Sequence, residues 1–308
     1  MKAVILLAVY NGATFLRAQL DSIRTQTDTD FTVYMQDDGS SDDSLSILRS
    51  CCETDERFIL SPDGGRHLGA ASNFFDLLLH APQADLYFFC DQDDIWRPDK
   101  LQCIKSTMKD AAGHYGKNTP LLVHSDAALT DEVSSGTHDS FFRHQKWDPD
   151  AVSIEKLLVQ NNVTGCTMAI NDPLRQIIKK ASRLPGSFHD WFIAQTASAF
   201  GHIIFIDAPL IFYRQHDSNT IGASRKNIPG RIIASLSGNG KARIRLTYTM
   251  ADALYNAYSD LLPAESKRKI CTYLSTGTKC KPARIYALIK GGYLMQSPVL
   301  RIGQMIFC

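Results

Sequence analysis

Over residues 2–90, four apolar runs of strand length alternate with segments whose apolar residues recur at helical spacing. The runs are residues 2–9, 31–35, 58–60 and 85–90. Between the first two, Phe15, Leu16, Leu20 and Ile23 line one face of a helix. Ser41 or Asp42 can cap a second helix over 44–51, and the spacing predicts a third over 70–80. Such βαβαβαβ alternation folds as a mainly parallel, doubly wound sheet. Strands covered on both faces read as continuous hydrophobics, as these do. The fold class is therefore α/β.

In an open α/β sheet, ligands bind beyond the carboxyl ends of the strands. Here the first run ends on Tyr10-Asn11-Gly12, the second on Asp37-Asp38-Gly39-Ser40 and the fourth on Asp91-Gln92-Asp93-Asp94. Asp91 and Asp93 are two apart and in extended chain project to one side. Carboxylates packed that closely repel and raise each other's pKa. A divalent cation with oxygen ligands, Mn²⁺ or Mg²⁺, relieves the repulsion. The competing reading is turn and cap chemistry ahead of Pro98, which suffices for Asp94 or Asp99.

The second half is less regular. A strand is expected over 121–126, a long loop over 129–149 and a helix over 152–159. A strand interrupted by Gly165 is expected over 162–170, and a helix from Asp172 to about Ala181. His189-Asp190-Trp191 opens another helix, and residues 203–206 and 210–213 read as two short strands. Beyond Ser224 the character becomes basic and helical. Residues 225–308 hold 14 Lys+Arg against 3 Asp+Glu, while residues 1–224 carry a net charge of −10. A boundary near 225 separates a catalytic unit, 1–224, from a C-terminal helical segment, 225–308. In that segment Leu246, Met250, Ala253, Leu254, Ala257 and Leu261 form an apolar stripe. Two readings stand: the basic helices lie on an anionic membrane, or they pack on the catalytic unit. The 8 scattered cysteines, none in a CxxC pair, are read as reduced cytosolic thiols. The apolar start, residues 1–9, is too short for a spanning helix and is not expected to be a signal peptide.

Five segments, in order, resemble the inverting glycosyltransferases of family 2 with the GT-A fold: Ala8-Val9-Tyr10-Asn11-Gly12, Asp37-Asp38-Gly39-Ser40, Asp91-Gln92-Asp93-Asp94, His189-Asp190-Trp191 and Tyr213-Arg214-Gln215-His216. The resemblance covers about residues 1–220, and Asp-Gln-Asp-Asp-Ile-Trp with Tyr-Arg-Gln-His looks most like the bacterial rhamnosyltransferase-like branch. It implies the following roles. Asp38 accepts from the base of the donor nucleotide, with Ala8 and Tyr10 lining the same pocket; many relatives carry Thr or Ser at the place of Ala8. Arg66, with His67 beside it, contacts the donor. Asp91 binds the ribose, Asp93 holds Mn²⁺ or Mg²⁺, and His216 is a further metal ligand. Asp190 is the general base, unless it only caps its helix. Gly165 and Trp191 border the acceptor, unless they are a strand bulge and a core residue.

The implied reaction moves a sugar, L-rhamnose on the branch resemblance, from a dTDP- or UDP-sugar to a hydroxyl of a glycan or lipid-linked acceptor in bacterial surface polysaccharide synthesis. The expected location is the cytoplasm or the inner face of the cell membrane, and no nucleic-acid partner is expected. A nucleotidyltransferase would share the strand-end carboxylates but needs a basic phosphate loop after the first strand. Here no Lys or Arg occurs between Val9 and Arg17. A non-catalytic nucleotide-sugar-binding subunit is the other rival, and Asp91, Asp93 and Asp190 argue against it.

Overall fold

The structure is a computed structural model that describes residues 1–62, 64–130, 136–138, 140–214 and 239–308. Its first half follows the expected alternation: β1 (Ala3–Val9), α1 (Ala13–Arg24), β2 (Phe31–Asp37), α2 (Ser44–Thr54), β3 (Phe58–Leu60), α3 (Ala70–His80) and β4 (Leu86–Cys90). β5 (Ile95–Trp96) and α4 (Lys100–Tyr115) follow. β1 to β4 form a parallel block in the order β3-β2-β1-β4. Residues alternate between its faces as the pleat requires. Val4, Leu6, Tyr87 and Phe89 enter one core, and Ala3, Ile5, Leu7, Phe88 and Cys90 the other. α3 covers the first core, and α1, α2 and α4 the second. Burial on both faces accounts for the absence of polar alternation in these strands.

The second half completes the sheet with β6 (Leu121–Thr130), β7 (Gly136–His138), β8 (Met168–Asn171) and β9 (His202–Arg214). Four helices accompany them: α5 (Phe141–Gln145), α6 (Ile154–Leu157), α7 (Asp172–Lys179) and α8 (His189–Phe200). β8 runs antiparallel between β4 and β6, and β9 joins β6 in parallel. Three expectations change here. The two short strands after Gly201 are one strand, because a register shift opposite Asp126 accommodates Pro209, which has no N–H to give the ladder. The long loop after Leu129 contains β7 and α5; Ser140 caps α5 by accepting from Arg143 N, and the buried Asp126 carboxylate takes Ser140 Oγ and Phe142 N. Gly165 lies not in a strand but in a 3₁₀ turn, Gly165–Thr167, ahead of β8.

Residue 225, the expected boundary, lies outside the described residues. After it come α9 (Asn239–Tyr258), α10 (Ala264–Thr276), α11 (Lys281–Lys290) and α12 (Pro298–Phe307). The apolar stripe of α9 faces inward: Met250, Ala251, Leu254, Ala257 and Tyr258 share one core with Phe75, Phe89 and Phe192 of the sheet half. Tyr258 stacks on Phe192 at 5.8 Å between ring centroids, and Ser182 Oγ donates to Asn256 O. Lys269 bridges Glu155 at 2.8 Å, and Lys156 Nζ donates to Gly292 O. Helices so embedded unfold with the sheet. Leu254→Ala is therefore expected to cost about 3 kcal/mol. Trp96, Trp147 and Trp191 all precede residue 225. Urea curves from their fluorescence and from far-UV circular dichroism should coincide and shift together; a shift confined to the dichroism signal would show that the helices melt alone.

Candidate active site

The register places the strand ends together. Val9 pairs with Asp37 and Leu7 with Cys90, so Tyr10, Asp38 and Asp91 leave the sheet at one edge. Serine and asparagine side chains hold the ends of β1 and β2 to each other. Asn11, at φ 48°, donates its N–H to Ser40 Oγ and accepts from Ser41 N, and Gly12 N donates to Ser44 Oγ. Asp42 accepts from both Ser44 N and Ala13 N, so it serves two helix starts rather than one. The residue between the two motif aspartates also has work to do. Gln92 grips the Tyr10 backbone at both ends, accepting from its N–H at 2.8 Å and donating to its carbonyl at 3.0 Å. A Cβ on Gly12 would come within 2.3 Å of this side chain, which is why a glycine stands there.

Asp38 is buried, and its two oxygens accept from Leu68 N at 2.5 Å and Gly69 N at 2.8 Å. It thus anchors the loop that carries Arg66 and His67 to the first turn of α3. Arg66 is exposed on that loop. His67 packs against the exposed Tyr10 ring, centroids 4.5 Å apart and the planes tilted by 37°, and Ala8 is half-buried. Ala8, Tyr10, Asp38 and the Arg66–His67 loop therefore gather at one end of β1.

Beyond β4 the chain turns inward. Asp94, readable from sequence as a turn residue, is fully buried, while Asp91 and Asp93 are half-buried. Ligand atoms of Asp91, Asp94 and Cys166 lie within 4.8 Å of one another. Burial, then the charges of Asp93 and Asp190, push the Asp91 carboxyl up to about 7. Burial, then the charges of Asp93 and Asp91, hold Asp94 well above the usual range. Asp94 Oδ2 finds no hydrogen-bond partner, and Oδ1 accepts weakly from Arg214 N at 3.4 Å. Arg214 Nε donates to Asp93 O, so the end of β9 is tied to this loop. His216, two residues on, lies outside the described residues.

Sequence reasoning missed Lys100 and Cys166. Lys100 is fully buried as the first residue of α4. Its Nζ sits 3.7 Å from the Trp96 ring centre and donates to Cys166 O at 2.6 Å. Burial lowers its pKa to about 8, although Asp94 and Asp91 favour the charged form. A lysine at a helix start is ordinarily solvated, and nothing in its neighbours marks this one. The Cys166 thiol is buried and pushed well above its ordinary range, so it stays protonated. A thiol is a poor ligand for a hard cation, whereas three acidic side chains with an unpartnered buried oxygen suit one.

Asp190 lies in the first turn of α8, one residue past the helix start, and its Oδ1 accepts from Trp191 N at 2.7 Å. Phe188, at φ 54°, occupies the cap position. Burial raises the Asp190 carboxyl to about 6. The close approach allowed by Gly165 is made by this turn. A Cβ there would meet His189 Nε2 at 2.9 Å and Asp190 Cβ at 3.6 Å. Trp191 is buried and donates Nε1–H to Leu157 O, holding the turn to α6. Lys100→Met removes a lysine buried beside this carboxylate cluster. It should cost about 3 kcal/mol in urea unfolding. The loss should grow between pH 6 and about pH 7.5, where Asp91, at about 7, becomes charged while Lys100, at about 8, is still mostly protonated. A loss independent of pH would mean that Lys100 acts by packing alone.

Known proteins match this chain in sequence and in fold. Residues 4–116 match the family model described as glycosyl transferase family 2. The dTDP-rhamnosyl transferase RfbG of Shigella flexneri is 29% identical over 237 residues, 71% of this chain and 74% of that protein. S. aureus TarS 1–349, solved in complex with UDP-GlcNAc, superposes with a TM-score of 0.58 at 16% identity, covering 94% of this chain and 80% of that one. The Pyrobaculum calidifontis mannosyltransferase PcManGT, solved with GDP-Man and Mn²⁺, gives 0.52 at 16% identity over 99% of this chain and 86% of its own. The expected GT-A α/β architecture is the one observed. Residues 4–116 thus match glycosyl transferase family 2, and over most of its length the chain is similar to a dTDP-rhamnosyl transferase.

Proposed function

We propose that this glycosyltransferase moves L-rhamnose from dTDP-L-rhamnose to a hydroxyl of a glycan or lipid-linked acceptor, with inversion and with a divalent cation, in bacterial surface polysaccharide synthesis. The sugar rests on the similarity to RfbG, whose printed name specifies a dTDP-rhamnosyl donor. The mechanism rests on one observation: a buried carboxyl, Asp190, raised to about 6, whose charge is felt by Asp91 at the end of β4. A carboxylate with that pKa is ionised at neutral pH yet more basic than a solvated one, as a general base requires.

In this reading the base stacks near Tyr10, with Asp38 and the Arg66–His67 loop around it, and Asp91 takes the ribose. Asp190 accepts the proton of the acceptor hydroxyl. The acceptor oxygen forms its bond to the anomeric carbon as the bond from that carbon to the diphosphate breaks, and the electron pair leaves with the phosphate. Asp93, backed by Asp94 and with His216 as a further ligand, would hold Mn²⁺ or Mg²⁺, which supplies positive charge for the departing diphosphate. Trp191 and Gly165 keep the α8 turn in place, and so position the base.

Asp190→Asn keeps a side-chain oxygen for Trp191 N but accepts no proton at neutral pH. Its kcat should fall by about 10²–10⁴-fold with donor affinity unchanged. The ionised carboxyl in a buried site costs stability above its folded pKa, so the Asn variant should not lose Tm at pH 7.5. For the parent enzyme, activity should decline as pH falls through about 6, where the base becomes protonated. An Asn variant within a few-fold of the parent would move the search for the base to Asp94 and Asp217. Separately, dTDP-L-rhamnose with Mn²⁺ should raise Tm more than UDP-hexoses do. Asp93→Ala should remove the Mn²⁺-dependent part of that rise; a variant that responds like the parent would exclude Asp93 as a ligand.

A further inference from the structure

α11 and α12 carry apolar side chains on their solvent faces. Tyr286 and Ile289 on α11 are 65% and 55% exposed, and Ile302 and Ile306 on α12 are 61% and 42% exposed. Each pair is spaced three or four residues apart, so each lies along one helix face. α12 packs Leu300 and Phe307 against the core but leaves Ile302 and Ile306 outside. Gln304 is buried, donating to Tyr293 O and accepting from Met295 N, while the isoleucines face outward. Water-soluble helices place these groups the other way round. Clustered exposed aliphatics call for an apolar partner.

The two helices are tied to each other at one pair of ends. Lys281 Nζ at the start of α11 donates to Ile306 O near the end of α12, and eight residues from the end of α11 the chain enters α12. Charge identifies the partner. Residues 266–308 hold eight Lys or Arg and no Asp or Glu. A second copy docked through this same face would bring like charges together, whereas an anionic bilayer offers both hydrocarbon and negative headgroups. No helix among the described residues is long and apolar enough to cross a membrane. α11 and α12 have 10 residues each, a length that fits lying in the interface. The α9 stripe, the other apolar face of this segment, is occupied by the core.

We propose that the α11–α12 pair is a membrane-docking surface. Tyr286, Ile289, Ile302 and Ile306 enter the boundary of an anionic bilayer, and Lys281 and Lys290 meet its headgroups. Docking stands apart from the choice of sugar, since it requires no donor. The test is sedimentation of the full chain with vesicles of phosphatidylglycerol and phosphatidylcholine in equal parts, against pure phosphatidylcholine. The full chain should bind only the anionic vesicles. Ile302→Ser with Ile306→Ser should weaken partitioning by about a hundredfold at unchanged Tm. Lys290→Gln should weaken it about fivefold. Ile302→Leu with Ile306→Leu should preserve it. Absence of binding at low salt overturns the proposal, as does equal binding by the serine pair. A concentration-dependent dimer abolished by the serine pair, without vesicle binding, would assign the face to a second copy instead.

Discussion

The structure turns on carboxylates held out of water at the end of β4. Asp94 is enclosed, Asp91 and Asp93 are half-enclosed, and the Asp93 charge helps to raise the carboxyls of the other two. Burial of like charge is unfavourable unless something answers it. Within the protein the answer is partial: Lys100 from α4, weak donation from Arg214, and a Cys166 thiol that stays neutral. The remaining imbalance is the chemical reason for proposing a cation at this edge of the sheet.

Much of the surrounding architecture keeps that loop in place. Gln92 fastens it to the end of β1, Arg214 fastens it to β9, and Lys100 fastens it to the turn at Gly165. The same turn meets the start of α8, so the proposed base and the β4 carboxylates share a support. Asp38 does for β2 what Gln92 does for β1, joining the strand end to the start of α3 through backbone N–H groups. A carboxylate occupied in this way is rigid.

The C-terminal helices divide their surfaces between two uses. α9 gives its apolar face to the core beside Phe192, an outcome that helical spacing could not distinguish from membrane contact. α11 and α12 keep isoleucines outside, and no stretch of sequence marks those as different from the buried ones. Both are apolar residues three or four apart; only the position of neighbouring helices separates them.

Local patterns were enough for the parallel half of the sheet. Strand-length apolar runs, helical spacing and polar strand ends determined β1 to β4, α1 to α3 and the edge where the site lies, because a buried parallel strand and an amphipathic helix each leave a signature within a few residues. The family motifs added Asp38, Asp91, Asp93 and Asp190 as candidates. Tertiary structure alone decided which acidic group is buried. Asp94 and Asp93 are neighbours of identical chemistry, and their surroundings come from β9 and the Gly165 turn, more than 70 residues away. It also decided that Lys100 lies inside, since its partners are the Trp96 ring and the Cys166 carbonyl. Desolvation depends on everything packed around a group, and that packing is not a property of the residues beside it in the chain.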